Sequence, residues 1–301
     1  MLTASPGRRR RIAGAAAGIA AAVVAAIAVA ELTDSDRPAA VSGSFPFVRS
    51  VRGDRAVIWA VGDGANGSAE AKAVAARIAN GPVDRLLYLG DVYEDGTAQE
   101  FRDNYATTYG RLARVTAPTS GNHDAPNEAS GYDPYWRRTL GAPPADWYAF
   151  RAGGWQLISL DSEDPHEEGS AQHRWLQRQL RAAGTCRIAF WHRARFSADT
   201  HHGDQEQMAP LWNALRGHAA IVLTGHAHNM QRFRPIDGIT QFVSGAGGDE
   251  LYPLRRDARL AFGDDHTYGA LRLRLRPGAA AYAFVAADGR SLDSGTVRCR
   301  A

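Results

Sequence analysis

Four short segments of this 301-residue chain place oxygen and imidazole ligands at the ends of apolar runs: Gly62-Asp63, Gly90-Asp91, Gly121-Asn122-His123-Asp124 and Gly225-His226-Ala227-His228. Asp, Asn and His are side chains that hold hard and borderline metal ions. Arriving from several separate strand ends, they can assemble a site for two such ions, and the chemistry such a pair serves is hydrolysis at phosphorus. A lone Gly-Asp is an ordinary turn. His226 and His228 say more, because a spacing of two puts both imidazoles on one side of a strand. His192 closes the apolar run Arg187 to Trp191. A satisfied core histidine is the usual occupant of such a position, but its place between the other segments makes it a further ligand candidate.

The elements that must position these residues can be read from pattern. Strands are expected at Ala56 to Val61, Arg85 to Leu89, Val115 to Ala117, Trp155 to Leu160, Arg187 to Trp191 and Ala220 to Leu223, each running into a ligand segment or a polar loop. Ser68 caps an expected helix over Ala69 to Ala79, closed by Gly81-Pro82. Further helices are expected around Gln99 to Tyr109, Gln172 to Ala183 and Gln205 to Leu215, with Trp175, Leu176 and Leu180 on one face of the second. Beyond residue 230 the texture changes to strands without helices, at Thr240 to Val243, Ala270 to Leu275, Ala281 to Val285 and Thr296 to Cys299. An alternating β/α portion followed by a meander fits one α/β domain over residues 51–301 built on two sheets. The glycines before the ligands are read as permitting the sharp turns that aim the next side chain.

Residues 1–30 stand apart. Arg8 to Arg11 precede the apolar, Ala-rich stretch Ile12 to Ala30, and Ala28-Val29-Ala30 looks like a cleavage site. This reads as a secretory signal peptide, with an uncleaved membrane anchor as the alternative. Residues 31–50 read as a linker. The signal segment holds four of the 35 basic residues and no acid, so removing it leaves 31 bases against 32 acids and turns a net charge of +3 into −1. The basic balance therefore belongs to export, and no nucleic-acid partner is expected. The expected location is secreted, periplasmic or cell-surface, with membrane contact only through residues 12–30. Cys186 and Cys299, an even count in an exported chain, are expected to pair, two separate buried thiols being the alternative.

The segments Gly62-Asp63, Gly90-Asp91-Val92-Tyr93, Gly121-Asn122-His123-Asp124, Trp191-His192 and Gly225-His226-Ala227-His228 resemble those of the calcineurin-like metallophosphoesterases, and are most similar to the secreted bacterial, purple-acid-phosphatase-like branch. The resemblance runs from about Val57 to Gly247. It implies a four-layer αββα sandwich of two mixed β-sheets flanked by helices, with two metal ions, drawn from Fe, Zn and Mn, at the sheet edge. It implies that Asp91 bridges the metals, that Asp63 and His228 hold the first, and that Asn122, His192 and His226 hold the second. His123 is then phosphate binder and general acid, oriented by Asp124, while water activated by the metals attacks phosphorus in line. The implied reaction is hydrolysis of small phosphate monoesters. Alternatives are a phosphodiesterase with the same centre, or a metal-poor protein that binds phosphorylated ligands without turnover.

Two departures from the family pattern bear on this. Many members supply another first-metal ligand two residues after the first Asp, where this chain has Ala65, or a Tyr three residues after the bridging Asp, where it has Glu94. Tyr93 sits one place early and either reaches the metal or packs as an aromatic residue, in which case Glu94 or Asn66 is the replacement to look for. Related sequences also often carry a second His and a Pro after His192, where this chain reads Arg193-Ala194-Arg195. These arginines either contact phosphate or serve as structural charges. His202, in the polar loop His201-His202-Gly203-Asp204, either overhangs the site and touches substrate or is solvated. Tyr132, Tyr135, Trp136, Trp147 and Tyr148 either wall the pocket or pack in the core, and His166, His173, His218 and His266 are read as surface residues.

Overall fold

The computed structural model describes residues 48–299, so the signal segment and most of the linker lie outside the described residues. Thirteen strands are formed among the described residues: β1 (Ala56–Val61), β2 (Arg85–Tyr88), β3 (Thr116–Pro118), β4 (Tyr148–Ala152), β5 (Trp155–Ser159), β6 (Cys186–Phe190), β7 (Ile221–Thr224), β8 (Met230–Phe233), β9 (Thr240–Ser244), β10 (Leu260–Asp264), β11 (Gly269–Arg276), β12 (Ala279–Ala286) and β13 (Ser291–Arg298). They make two mixed sheets, one ordered β13-β12-β11-β1-β2-β3 and one ordered β10-β8-β9-β7-β6-β5-β4.

Within the first sheet β1, β2 and β3 run parallel, and within the second β5, β6, β7 and β9 do. Strands buried on both faces read as continuous apolar runs, which is why Ala56–Val61 and Cys186–Phe190 lack alternation. The inner faces meet in one core that includes Ile58, Leu87, Leu157, Phe190, Leu223, Phe242, Leu273 and Phe284. Outside the first sheet Trp59, Val74, Ile78, Tyr105 and Trp136 form a second core, and outside the second sheet Trp175, Leu176, Leu211 and Trp212 form a third. The result is the αββα sandwich that the motifs implied. Ser244 stitches the sheets together. Its carbonyl accepts the Gly62 amide at 2.9 Å, and its hydroxyl donates to the Ala60 carbonyl at 2.9 Å.

The helix Ala69–Ala79 forms where expected, with the Ser68 hydroxyl accepting the Ala71 amide at 3.0 Å. The helix expected near Gln99 to Tyr109 is broken into α, π and 3-10 turns through Val115. This winding turns Phe101, Tyr105 and Tyr109 onto the sheet, where Tyr105 meets Tyr88 edge-on at 4.9 Å. The aromatic cluster is packing: Tyr132 and Trp136 belong to the second core, Trp147 to the third, and Tyr148 lies between the sheets. His173 corrects the surface reading, being buried on the helix Ala171–Leu180. Strands β4, β8 and β10 and the helix Asp133–Leu140 were not expected from pattern.

Cys186 and Cys299 are bonded, with Cα atoms 5.6 Å apart across a separation of 113 residues. The bond pins the end of edge strand β13 to β6 of the other sheet. Closing a loop of this length is worth about 4–5 kcal/mol in the chain-entropy account. Cys299→Ser is expected to lower stability by about that amount, read as a denaturant midpoint that matches reduced wild type. No helix among the described residues is long and apolar enough to cross a membrane.

Candidate metal centre

The carboxyl ends of the parallel strands in both sheets open onto one crevice, the usual place for a site in layered α/β folds. Asp63 follows β1, Asp91 follows β2, Asn122 and His123 follow β3, His192 follows β6, and His226 and His228 follow β7. Asp63, Asp91 and His226 themselves adopt left-handed backbone, with φ of 57°, 69° and 67°. Strain of that kind on non-glycine residues gathers at functional sites. The glycine reading is corrected in detail. Gly90 does turn with φ of 96°, but Gly121 and Gly225 serve close approach: a Cβ there would lie 2.1 Å from Asp91 Oδ1 and 2.5 Å from Asp63 Oδ2.

Two backbone carbonyls orient the imidazoles. Leu89 accepts from His192 Nδ1 at 2.8 Å, and Glu250 accepts from His228 Nδ1 at 2.8 Å. A carbonyl only accepts, so both Nδ1 atoms carry hydrogen and both Nε2 atoms turn inward. His192 Nε2 then faces Asn122 Oδ1 at 3.0 Å, His226 Nδ1 at 3.1 Å and Asp91 Oδ2 at 3.3 Å. His228 Nε2 faces the Tyr93 hydroxyl at 2.9 Å and Asp63 Oδ1 at 3.7 Å. Asp91 Oδ2 lies between the two groups, 3.4 Å from the Tyr93 hydroxyl. The atoms that Asp91, His192 and His226 could offer a cation all fall within 4.8 Å of one another, and all three residues are buried.

The electrostatics of this cluster follow from its burial and its close charges. Burial, partly offset by the charge on His192, pushes Asp63 well above the usual carboxylate range. Burial also pushes Asp91 up, but the charge and hydrogen bond of His192 outweigh it and leave Asp91 low. Burial would lower His192, yet the charge of Asp91 overrides it and raises the imidazole to about 10. Burial and the His192 charge drive His226 far down, and burial lowers His228. Two carboxylates, three imidazoles and an amide oxygen are thus crowded together where burial disfavours leaving the carboxylate charge uncompensated. A cation held among the same atoms would compensate it, so the donor set fits a metal.

Tyr93 is buried, and its hydroxyl sits with Asp63, Asp91 and His228, the group of residues that the resemblance implied for the first metal. Asn66 is spent elsewhere, bonding Gly248 and Asp249, and the Glu94 side chain is exposed. Asp124 does not touch His123. Its two oxygens accept the amides of Asp91, Val92 and Gly121 at 2.8, 3.1 and 3.0 Å, although burial and the Asp91 charge push it up to about 8. Asp124 therefore braces the backbone of the ligand loops, and the carbonyl of Glu94 orients His123 through Nδ1. His123 Nε2 lies 4.0 Å from Asp91 Oδ2, and the side chain is 34% exposed.

Arg195 is not brought to the site. It bonds both Glu206 oxygens and lies over Phe196, whereas Arg193 reaches the rim, 3.5 Å from His226 Nε2. His202 stacks on His226 with centroids 3.9 Å apart, and Tyr252 is sandwiched between His228 and His201 at 4.1 Å on each face. Tyr252 and Glu163, which grips Arg193, went unread in the sequence because neither lies in a ligand segment.

This frame and crevice define a class: layered α/β proteins with a cluster of ligand-type side chains at the carboxyl edge of paired sheets. The calcineurin-like phosphoesterase family matches the chain over residues 56–230, more than half its length, and the chain belongs to that family. It is similar to Purple acid phosphatase 21 of Arabidopsis thaliana, 29% identical over 173 residues, which are 51% of this chain and 39% of that protein. It is also similar to Probable purple acid phosphatase 20 of the same plant, 27% identical over 151 residues, covering 42% and 35% of the two chains. The chain thus spans well under half the length of these curated relatives. Among solved structures, the purple acid phosphatase PPD1 from yellow lupin seeds shares the fold at a TM-score of 0.71 and 16% identity, over 82% of this chain and 54% of that one. GAP50, the anchor in the inner membrane complex of Plasmodium, shares it at 0.68 and 14%, over 83% and 90%.

Proposed function

We propose that this protein is an exported, dinuclear-metal phosphatase acting on small phosphate monoesters. The observation that carries the reading is the pair of inward-turned Nε2 atoms on His192 and His228, pinned by the Leu89 and Glu250 carbonyls on either side of the Asp91 carboxylate. Asp63, His228 and Tyr93 would hold one cation, Asn122, His192 and His226 the other, and Asp91 both. Bound there, the pair would bring the pKa of water towards neutrality and offset the charge of the phosphoryl oxygens.

The chain's own groups do the rest. The Glu94 carbonyl keeps the Nδ1 hydrogen on His123 in both of its charge states, so the proton that moves is the one at Nε2. That atom borders the centre on its open side, placed to protonate a departing alkoxide. His202, stacked on His226, faces bound substrate. The disulfide and the N-terminal segment support export.

The test compares turnover of 4-nitrophenyl phosphate and bis(4-nitrophenyl) phosphate by protein stripped with chelator and reloaded with Fe, Zn or Mn. Loss on stripping, recovery on reloading and faster monoester hydrolysis are expected. Equal or faster hydrolysis of the bis-ester would make the protein a diesterase. Sub-stoichiometric metal with no activity after reloading would leave only a binding role.

A further inference from the structure

Arg193 is held as a fixed fork. Its Nε donates to both oxygens of Glu163 at 2.9 and 3.1 Å, and Nη2 donates to Oε2 at 2.9 Å. Ser162 locks the pair, its hydroxyl donating to Glu163 Oε1 at 2.9 Å and accepting the Arg193 amide at 3.2 Å. The buried Asp161 sets the turn below by accepting the Glu163 amide at 2.7 Å. This leaves Nη1, whose one hydrogen bond among the described residues is to His226 Nε2 at 3.5 Å, the outer limit of such a bond.

His226 turns Nδ1 towards His192 Nε2, into the cluster. When a cation takes Nδ1, the imidazole hydrogen sits on Nε2, and a guanidinium can only donate. Two N–H groups then face each other with no acceptor between them, and the second hydrogen on Nη1 has no partner among the described protein groups in either tautomer. The Arg193 side chain is 24% exposed, so water satisfies these donors in the free protein, and an oxygen of an anion at the centre would displace that water.

We infer that Arg193, positioned by Glu163, is the residue that distinguishes phosphate monoesters from diesters, by donating to a terminal oxygen that only the monoester has. The inference rests on the phosphatase reading above. A monoester keeps three terminal oxygens and a diester two, with carbon on the third. A donor fixed at that third position rewards the monoester and is left unpaired by the diester. Because Glu163 neutralises the guanidinium, the selection comes from the direction of the bond rather than from added charge. Lysine, a point charge on a flexible stem, would not reproduce a fork held this way.

The experiment uses metal-loaded wild type, Arg193→Ala, Arg193→Lys and Glu163→Gln. It measures kcat/KM for 4-nitrophenyl phosphate and its bis-ester, calorimetric affinity for inorganic phosphate, and melting temperature. Arg193→Ala is expected to lower both the monoester kcat/KM and phosphate affinity about 10- to 100-fold. Diester turnover stays essentially unchanged while melting falls modestly because Glu163 loses its partner, Lys restores little, and Glu163→Gln loses part of the preference. An unchanged monoester-to-diester ratio overturns the inference, and so does a parallel fall on both esters with a lowered melting temperature, the mark of a structural role. If wild type cleaves neither ester and binds no phosphate, the phosphatase reading falls and takes the inference with it.

Discussion

Asp91→Asn is expected to abolish measurable turnover, a loss of at least about 10³-fold in kcat, while the protein stays folded. Asp91 touches both halves of the cluster through a single oxygen, Oδ2, at 3.3 Å from His192 Nε2 and 3.4 Å from the Tyr93 hydroxyl. An amide in its place removes the negative charge and can turn an NH2 group towards the proposed cation sites. The backbone tolerates the change. Residue 91 has φ of 69°, a region in which Asn is among the best-accommodated side chains. Its amide bonds Asp124 whatever the side chain is, and an Asn oxygen can still accept the His123 amide that Oδ1 holds at 3.0 Å. Metal content measured alongside turnover and a thermal melt separates the possibilities. Lost metal with an intact melt is the expected result, and wild-type-like activity would move the bridge to another residue.

The layered fold and the ligand loops were legible because both are local properties. A parallel strand buried on two faces announces itself as an apolar run, and its ligand follows within a few residues. Strands β8 and β10 gave no such signal. Gln231 and Arg232 interrupt the first, and the second is a half-exposed edge strand containing Gly263. The site was least legible where a short loop decides which way a side chain points. Tyr93 looked one residue out of place, yet the pairing of Val92 with Ala65 carries the next side chain to Asp63 and His228. Asp124 looked like the partner of its neighbour His123, but the turn after Gly121 sends its carboxylate inward to three amides. Arg193 and Arg195 are two residues apart, and what separates them is a partner distant in sequence, Glu163 for one and Glu206 for the other.

Removing the acid should show itself most clearly through the leaving group. His123→Ala is expected to lower kcat for an alkyl phosphate by about 10²–10⁴-fold, and to lower it much less for 4-nitrophenyl phosphate. Nitrophenolate departs without help near neutral pH, whereas an alkoxide is far too basic to leave unprotonated. The imidazole is well placed for that proton, since the Glu94 carbonyl occupies Nδ1 and Nε2 borders Asp91 at 4.0 Å. Its ring also meets Tyr93 edge-on at 4.8 Å, so a truncated variant loses packing against a proposed ligand as well as the proton. His123→Gln restores bulk and hydrogen bonding but cannot give up a proton, and it should fall with Ala on the alkyl ester. A loss equal for both esters would mean that His123 holds the phosphoryl group rather than protonating the leaving group. The slope of log kcat against leaving-group pKa decides between them: it should steepen in both variants if the histidine is the acid, and stay parallel to wild type if it only binds.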